Sequence, residues 1–159
     1  MPADKVNAEV RGGLSGADYR RAYSPAMARY AVDAPTLVHL VQHGFEGGEH
    51  QLVAPNAIRT DALRLLFAAV QRGELTEAAA LQLHERITAL KIRALGDRVS
   101  RRTAWDIARD HGWDDLQHAE YLAVCVLQAD AFVTVDAAMA SAADGIVPLA
   151  PLAVLLHSD

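Results

Sequence analysis

The chain has 159 residues, of which 52% are apolar and 22% charged, with one cysteine and a formal net charge of -5. A chain of this length buries enough surface to fold as one domain without a disulfide or structural metal. The acidic balance excludes a protein coated in positive potential for packaging nucleic acid. No long apolar run occurs, and the first residues are polar where a signal peptide needs an apolar core, so we expect a cytoplasmic protein that does not enter the membrane.

Residues 1–27 differ in composition from the rest of the chain. They are rich in glycine and proline, and their apolar residues follow no clear period. This composition predicts an N-terminal arm. We therefore expect the compact domain to occupy residues 28–159.

In the first half of that domain, short apolar runs alternate with helical patterns. Arg29–Asp33 predicts a strand, and Pro35 suits the first turn of a helix that continues to about His43. A brief extended segment over 50–53 precedes a long helix that is expected to open at Pro55 and to close at Gly73.

The second half repeats this alternation. The predicted elements are a helix capped by Thr76, a strand over 91–95, a helix capped by Asp97 or Ser100 and stopped by Gly112, a helix capped by Asp114 or Asp115 and running to about Gln128, a strand over 131–134, a helix over 137–143 and a strand over 146–149. Strands that alternate with helices predict a single α/β domain with a mainly parallel central sheet of four to five strands, flanked by helices.

Two of the predicted strands deliver an aspartate at their carboxyl ends, where parallel sheets place their functional crevices. These residues are Asp33 and Asp136. A single aspartate at a strand end is explained by capping the helix that follows. Two of them on neighbouring strands repel each other unless a cation lies between them, and their oxygen atoms suit Mg²⁺ or Mn²⁺.

Four motifs together resemble the PIN-domain family over residues 29–152. The segment Tyr30-Ala-Val-Asp33 resembles the opening strand and first acid of that family, and Phe132-Val-Thr-Val-Asp136 its last acidic motif. Between them, the segment from Val53 to Leu63 is similar to a proline-rich helix start that carries an acid, here Asp61, and Ala119-Glu-Tyr-Leu-Ala123 resembles the helix of the third acid.

The resemblance implies a divalent-metal-dependent ribonuclease, similar to the toxins of bacterial VapBC-type toxin-antitoxin pairs. It implies Mg²⁺ or Mn²⁺ as cofactor, RNA as substrate, an antitoxin protein as partner and a homodimer. The candidate catalytic residues are Asp33, Asp61, Asp115 and Asp136, and the candidate metal ligands are Asp33, Asp115, His118 and Asp136; Asp115 enters as a substitute for the third acid and not through a family motif.

His118 stands where the family has its third aspartate. Histidine is less suited to Mg²⁺ than to softer transition metals. Asp114 and Asp115 share a face with His118 if the helix has already begun at them, whereas either is only an N-cap if it has not. The alternative function follows from this departure: a catalytically degenerate PIN-like protein that acts as a non-catalytic interaction or RNA-binding module.

A few other residues receive interpretations of lower weight. Arg101 and Arg102 are candidates to contact RNA phosphates, although a solvated helix face is the favoured explanation of any single arginine. Trp105 and Trp113 bracket a helix end and are interpreted as core anchors. Arg20 or Arg21 of the arm could reach the acidic site. A phosphatase or nucleotide hydrolase is disfavoured because no glycine-rich loop follows the first strand.

Overall fold

The structure is a computed structural model that describes residues 27–156. Arg20, Arg21 and nearly all of the predicted arm lie outside the described residues. Within the described range, four strands form the sheet: β1 (Arg29–Val32), β2 (Gln51–Pro55), β3 (Ile92–Leu95) and β4 (Ala131–Val133). Seven helices accompany them in that range: α1 (Ala34–Gln42), α2 (Ile58–Gln71), α3 (Glu77–Ala89), α4 (Arg98–His111), α5 (Gln117–Gln128), α6 (Ala137–Ala143) and α7 (Ala153–Leu156).

The sheet is parallel throughout and has the strand order β3-β2-β1-β4. The predicted α/β domain with a parallel central sheet is confirmed. The chain steps from β1 to β2 to β3 in one direction and then returns to place β4 on the other side of β1. The strand order therefore reverses between β1 and β4, and a crevice is expected at the carboxyl ends of these two strands.

The central strands are buried on both faces. Tyr30, Ala31 and Val32 of β1 are at most 1% exposed, and Phe132 of β4 is fully buried. Helix α5 packs on β1 and β2, and α4 packs on the outside of α5, while α1, α2 and α3 pack on one another. Continuous apolar runs of this kind are typical of parallel strands covered by helices.

Three predicted helix boundaries agree with the backbone geometry. Thr76 caps α3 because its Oγ1 accepts a hydrogen bond from Ala79 N at 3.1 Å. Asp97, rather than Ser100, caps α4, since its Oδ1 accepts a hydrogen bond from Ser100 N at 2.8 Å. Gly112 ends α4 in the left-handed region at φ 67°.

One predicted helix start and one predicted strand are wrong, and proline explains both. Pro55 is the last residue of β2, where its missing N–H interrupts the ladder only at the end of the strand, and α2 begins three residues later at Ile58. The predicted strand over 146–149 is reduced to one bridge between Leu149 and Phe132. Pro148 and Pro151 lack the N–H groups that a longer ladder would need.

The interpretation of Trp105 as a core anchor is also wrong, because its side chain is 59% exposed. Helix α4 instead buries a neighbouring face of small residues: Ala104 and Ala108 pack on Ala119 and Ala123 of α5. No helix within residues 27–156 is long and apolar enough to cross a membrane.

Candidate functional site

Asp33 and Asp136 lie together at the carboxyl ends of β1 and β4, as predicted for neighbouring parallel strands. The register pairs Val32 with Val133, so both strands end at the same level. Both aspartates also cap helices: Asp33 accepts a hydrogen bond from Thr36 N at the start of α1, and Asp136 accepts one from Ala138 N at the start of α6. The same two side chains therefore cap helices and line the crevice.

Asp33 is held by a hydrogen-bond network that joins the two strand ends. Its side chain is 2% exposed. Its Oδ1 accepts hydrogen bonds from the backbone N–H and the hydroxyl of Thr36, and its Oδ2 accepts one from Thr134 Oγ1 at 2.7 Å. The two threonine hydroxyls in turn accept hydrogen bonds from the backbone N–H groups of Val135 and Asp136, both at 3.0 Å. The orientation of the Asp33 carboxylate is thus fixed from both strands.

Among the described residues, no basic side chain compensates the negative charge of Asp33. Burial raises the pKa of Asp33, and the nearby charge of Asp136 raises it further, against the lowering effect of the three hydrogen bonds. No basic side chain within residues 27–156 forms an ion pair with it. A buried carboxylate in this position needs either a proton or a cation from outside.

Asp61 reaches the same region from the first turn of α2. Its Oδ2 accepts a hydrogen bond from Tyr121 Oη at 2.7 Å, and its Oδ1 accepts one from Arg64 Nη1 at 3.2 Å. Burial raises the pKa of Tyr121, and the hydrogen bond to Asp61 raises it further, so the phenol stays neutral and donates. The exposed fractions are 21% for the Asp61 side chain and 75% for that of Arg64.

The N-terminal turn of α5 separates His118 from Asp115. Helix α5 begins at Gln117, so neither Asp114 nor Asp115 belongs to it, and the shared face with His118 does not form. Asp115 Oδ1 instead accepts a hydrogen bond from Gln117 N at 3.0 Å, and its side chain is exposed. His118 lies in the first turn of α5, with its ring edge-on to Trp113 at a centroid distance of 6.4 Å.

These side chains surround one cleft of about 170 Å³, which we call the acidic cleft. It is lined by Asp33, Ala34, Pro35, Asp61, Arg64, Leu65, Gln117, His118, Tyr121, Asp136 and Met139. Four sequence-predicted site residues, Asp33, Asp61, His118 and Asp136, thus come together, whereas Asp115 does not line the cleft. Within residues 27–156 no three His, Cys, Asp or Glu side chains are grouped so that they could hold a metal ion by themselves.

Three residues of the site received no role from the sequence. Thr36 and Thr134 position Asp33, and Tyr121 positions Asp61. The Thr-x-Asp motif could have pointed to Thr134. The position of Thr36, three residues after a capping aspartate, could have pointed to Thr36. Tyr121 lies 60 residues from Asp61, and no local pattern connects them.

A second cavity lies beside the acidic cleft, at the carboxyl ends of β2 and β3. We call it the side cavity; it is lined by Pro55, Asn56, Ala57, Leu95, Gly96, Ser100, Arg101, Glu120 and Val124. Arg101 Nη1 donates a hydrogen bond to the Gly96 carbonyl at 2.7 Å. Arg102, the other arginine predicted to contact RNA, is exposed and pairs with Asp106 at 3.1 Å.

Comparisons with known proteins support the fold. No protein-family model and no curated protein matches the chain. The structure is similar to the crystal structure of PAE2754 from Pyrobaculum aerophilum, with a TM-score of 0.61 and 19% sequence identity, over 80% of this chain and 92% of that one. At this level of identity, the similarity shows the α/β fold alone.

Proposed function

We propose that this protein is a divalent-metal-dependent ribonuclease that cleaves RNA endonucleolytically, with the acidic cleft as its active site. The observation that carries the proposal is Asp33, a buried carboxylate with no cationic partner among the described side chains, next to Asp136. A second supporting observation is that Asp61 lines the same cleft from a different element. Carboxylates from three elements at the reversal point of a parallel sheet are suited to binding a hard cation.

The donor set fits Mg²⁺ or Mn²⁺ in its chemistry. Asp33 and Asp136 would hold the cation, and Asp61 and His118 lie in the same cleft. Mg²⁺ commonly takes one or two carboxylates from the protein, retains several waters and contacts substrate phosphate, so a preformed group of three protein ligands is not required. When bound, such a cation neutralises charge on a phosphodiester and lowers the pKa of a water molecule.

The protein's own side chains position these groups. Thr36 and Thr134 fix both oxygens of Asp33, so the carboxylate does not need to reorganise when it binds. Tyr121 does the same for one oxygen of Asp61. Arg64 lies at the exposed rim of the cleft and offers a positive charge to an approaching phosphate.

The biological setting that we propose is that of a toxin in a toxin-antitoxin pair. Support comes from the motif resemblance to PIN domains, whose quoted segments lie on β1, α2, α5 and β4 around one cleft. An antitoxin protein as partner, a homodimer and a cytoplasmic location belong to the same proposal.

A second candidate function is favoured by two observations. His118 occupies the cleft where the family has an acid, and the described residues contain no group of three metal ligands. A cleft of this kind would suit a degenerate PIN-like protein that acts as a non-catalytic interaction or RNA-binding module.

The two candidates are separated by a cleavage assay. The protein is incubated with structured RNA and either Mg²⁺ or Mn²⁺, beside Asp33→Asn, whose folding is checked by thermal melting. We expect metal-dependent cleavage by the wild type and loss of cleavage in the variant. No cleavage by the wild type with either metal contradicts the nuclease proposal, and equal cleavage by both proteins indicates a contaminating enzyme.

A further inference from the structure

One exposed face of α4 combines arginines with a tryptophan. The spacing of positions 98, 101, 102, 105 and 109 places them along one side of the helix, next to the side that buries Ala104 and Ala108. We call this surface the arginine face; it consists of Arg98, Arg101, Arg102, Trp105 and Arg109, and all five side chains are exposed. Trp105 lies in the middle of the row and is 59% exposed.

The charge of this helix is opposite to that of the whole chain. Helix α4 carries four arginines and two aspartates, which gives a formal charge of +2, whereas the chain carries -5. Asp106 pairs with Arg102 and Arg109, and Asp110 pairs with Arg109. Arg98 and Arg101 form no direct ion pair with the described carboxylates, although the charge of Arg101 acts on the nearby Asp97. They leave positive charge available on the N-terminal side of Trp105.

The arginine face continues toward the acidic cleft. Arg101 belongs to this face and also lines the side cavity, together with Glu120. The carbonyl oxygen of Ala57, which lines the side cavity, accepts a hydrogen bond from Asp61 N at 2.8 Å, and Glu120 directly precedes Tyr121 of the acidic cleft, so the two cavities are close neighbours. A strand that lies along α4 therefore passes the side cavity before it reaches Asp61.

We propose that the arginine face binds single-stranded RNA, with a base stacked on Trp105 and phosphates contacted by Arg98 and Arg101, and that it directs the strand past the side cavity toward the acidic cleft. This inference deepens the proposed function and rests on it for RNA as the ligand. An exposed indole between cations is typical of surfaces that bind unpaired bases, because every base offers a π-face and every nucleotide a phosphate. Bases in a duplex are not available for such stacking.

The test measures binding without cleavage. Affinities for a fluorescently labelled, unpaired RNA and for the same strand annealed to its complement are measured by anisotropy in EDTA. We expect Trp105→Ala to bind the single strand about tenfold more weakly and the duplex unchanged. Trp105→Phe should retain most of the affinity because it keeps an aromatic ring. Phe67→Ala removes an aromatic side chain of similar exposure, 66%, from α2 and should bind like the wild type.

The arginines are tested by the salt dependence of binding. If Arg98 and Arg101 each contact one phosphate, replacing both by alanine lowers the slope of log affinity against log salt by about 1.4. Arg93→Ala, at an exposed arginine of β3, should leave the slope unchanged. An unchanged slope in the double variant contradicts the assigned phosphate contacts.

Three outcomes overturn the inference: no binding of RNA by the wild type, wild-type affinity of Trp105→Ala for the single strand, or a change of oligomeric state in Trp105→Ala by sedimentation. The last outcome would assign the face to a second copy of the chain. Failure of the nuclease proposal is distinguishable, because it leaves binding and its dependence on Trp105 intact while cleavage is absent.

Discussion

Asp33 and Asp97 stand in the same local sequence pattern, yet their pKa values shift in opposite directions. Each follows a parallel strand at the same edge of the sheet and caps the next helix. Burial raises the pKa of Asp33, whereas hydrogen bonds from Ser100 lower the pKa of Asp97, which is exposed. The difference comes from strand order: β1 is central and lies next to β4, while β3 is an edge strand. A capping role therefore does not decide whether an aspartate also belongs to a functional site.

The largest expected effect is on RNA cleavage, and it should differ between the two capping aspartates Asp136 and Asp97. Asn caps helices as well as Asp does, so Asp136→Asn and Asp97→Asn each remove a charge and keep the cap. We expect Asp136→Asn to lose metal-dependent RNA cleavage by about a hundredfold or more. Asp97→Asn should remain within about threefold of the wild type, because an exposed site away from the cleft contributes little. Equal losses in the two variants would mean that position in the sheet is not what distinguishes them.

A substitution at His118 tests whether this position belongs to the proposed metal site. His118→Asp adds a carboxylate where the family resemblance places one, and we expect Mg²⁺ to bind about tenfold more tightly because ligand charge increases. His84→Asp on α3 makes the same chemical change at a residue that does not line the cleft, and it should leave the affinity unchanged. Isothermal titration calorimetry measures both. Equal affinities of His118→Asp and the wild type would remove this position from the proposed metal site.

The opposite pKa shifts predict opposite pH dependences of stability. The pKa of Asp33 is raised in the folded protein, so its contribution is most favourable below the ordinary carboxyl value of about 3.9 and is lost as pH rises through the folded value. The pKa of Asp97 is lowered, so its contribution is present above that value and is lost as pH falls through the folded value. Melting temperatures of the wild type, Asp33→Asn and Asp97→Asn, measured from acidic to neutral pH, should show these trends as differences of a few degrees.

A divalent cation should offset the free-energy cost of the buried Asp33 charge and should have no such effect at Asp97. At neutral pH, Mn²⁺ is expected to raise the melting temperature of the wild type and of Asp97→Asn, because a ligand that binds only the folded state stabilises it. Asp33→Asn should show little response. A rise of the same size in all three proteins would place the stabilising ion elsewhere.

The sequence predicted the parallel sheet and the meeting of Asp33 with Asp136, because apolar strands and their helices leave a strong periodic signal. It did not place Trp105, since a tryptophan beside arginines is compatible with either face of a helix until the packing of Ala104 and Ala108 decides the rotation. It did not exclude Asp115 from the cleft, because a helix start that differs by two residues changes which side chains share a face. The contacts of Asp33 with Thr134 and of Asp61 with Tyr121 span 101 and 60 residues, and only the folded chain brings them together.

The smallest expected effect concerns the other half of the same sheet edge, where Asn56 follows β2 and Gly96 follows β3. A Cβ on Gly96 would lie 2.0 Å from Asn56 Nδ2, so Gly96→Ala displaces the Asn56 side chain. Asn56 is exposed and can turn toward solvent, which limits the loss of stability to about 1 kcal/mol or less.

Combining the substitutions isolates this contact. In an Asn56→Ala background the clash disappears, and Gly96→Ala should stabilise the protein by about 0.5 kcal/mol through the reduced entropy of the unfolded chain. Urea denaturation of the four proteins in this cycle gives the coupling energy, which we expect to be about 1 kcal/mol. Additive effects would show that the two residues do not constrain each other. This half of the edge would then differ from the Asp33 half in packing as well as in charge, because there the strand ends are fixed to each other by hydrogen bonds from both sides.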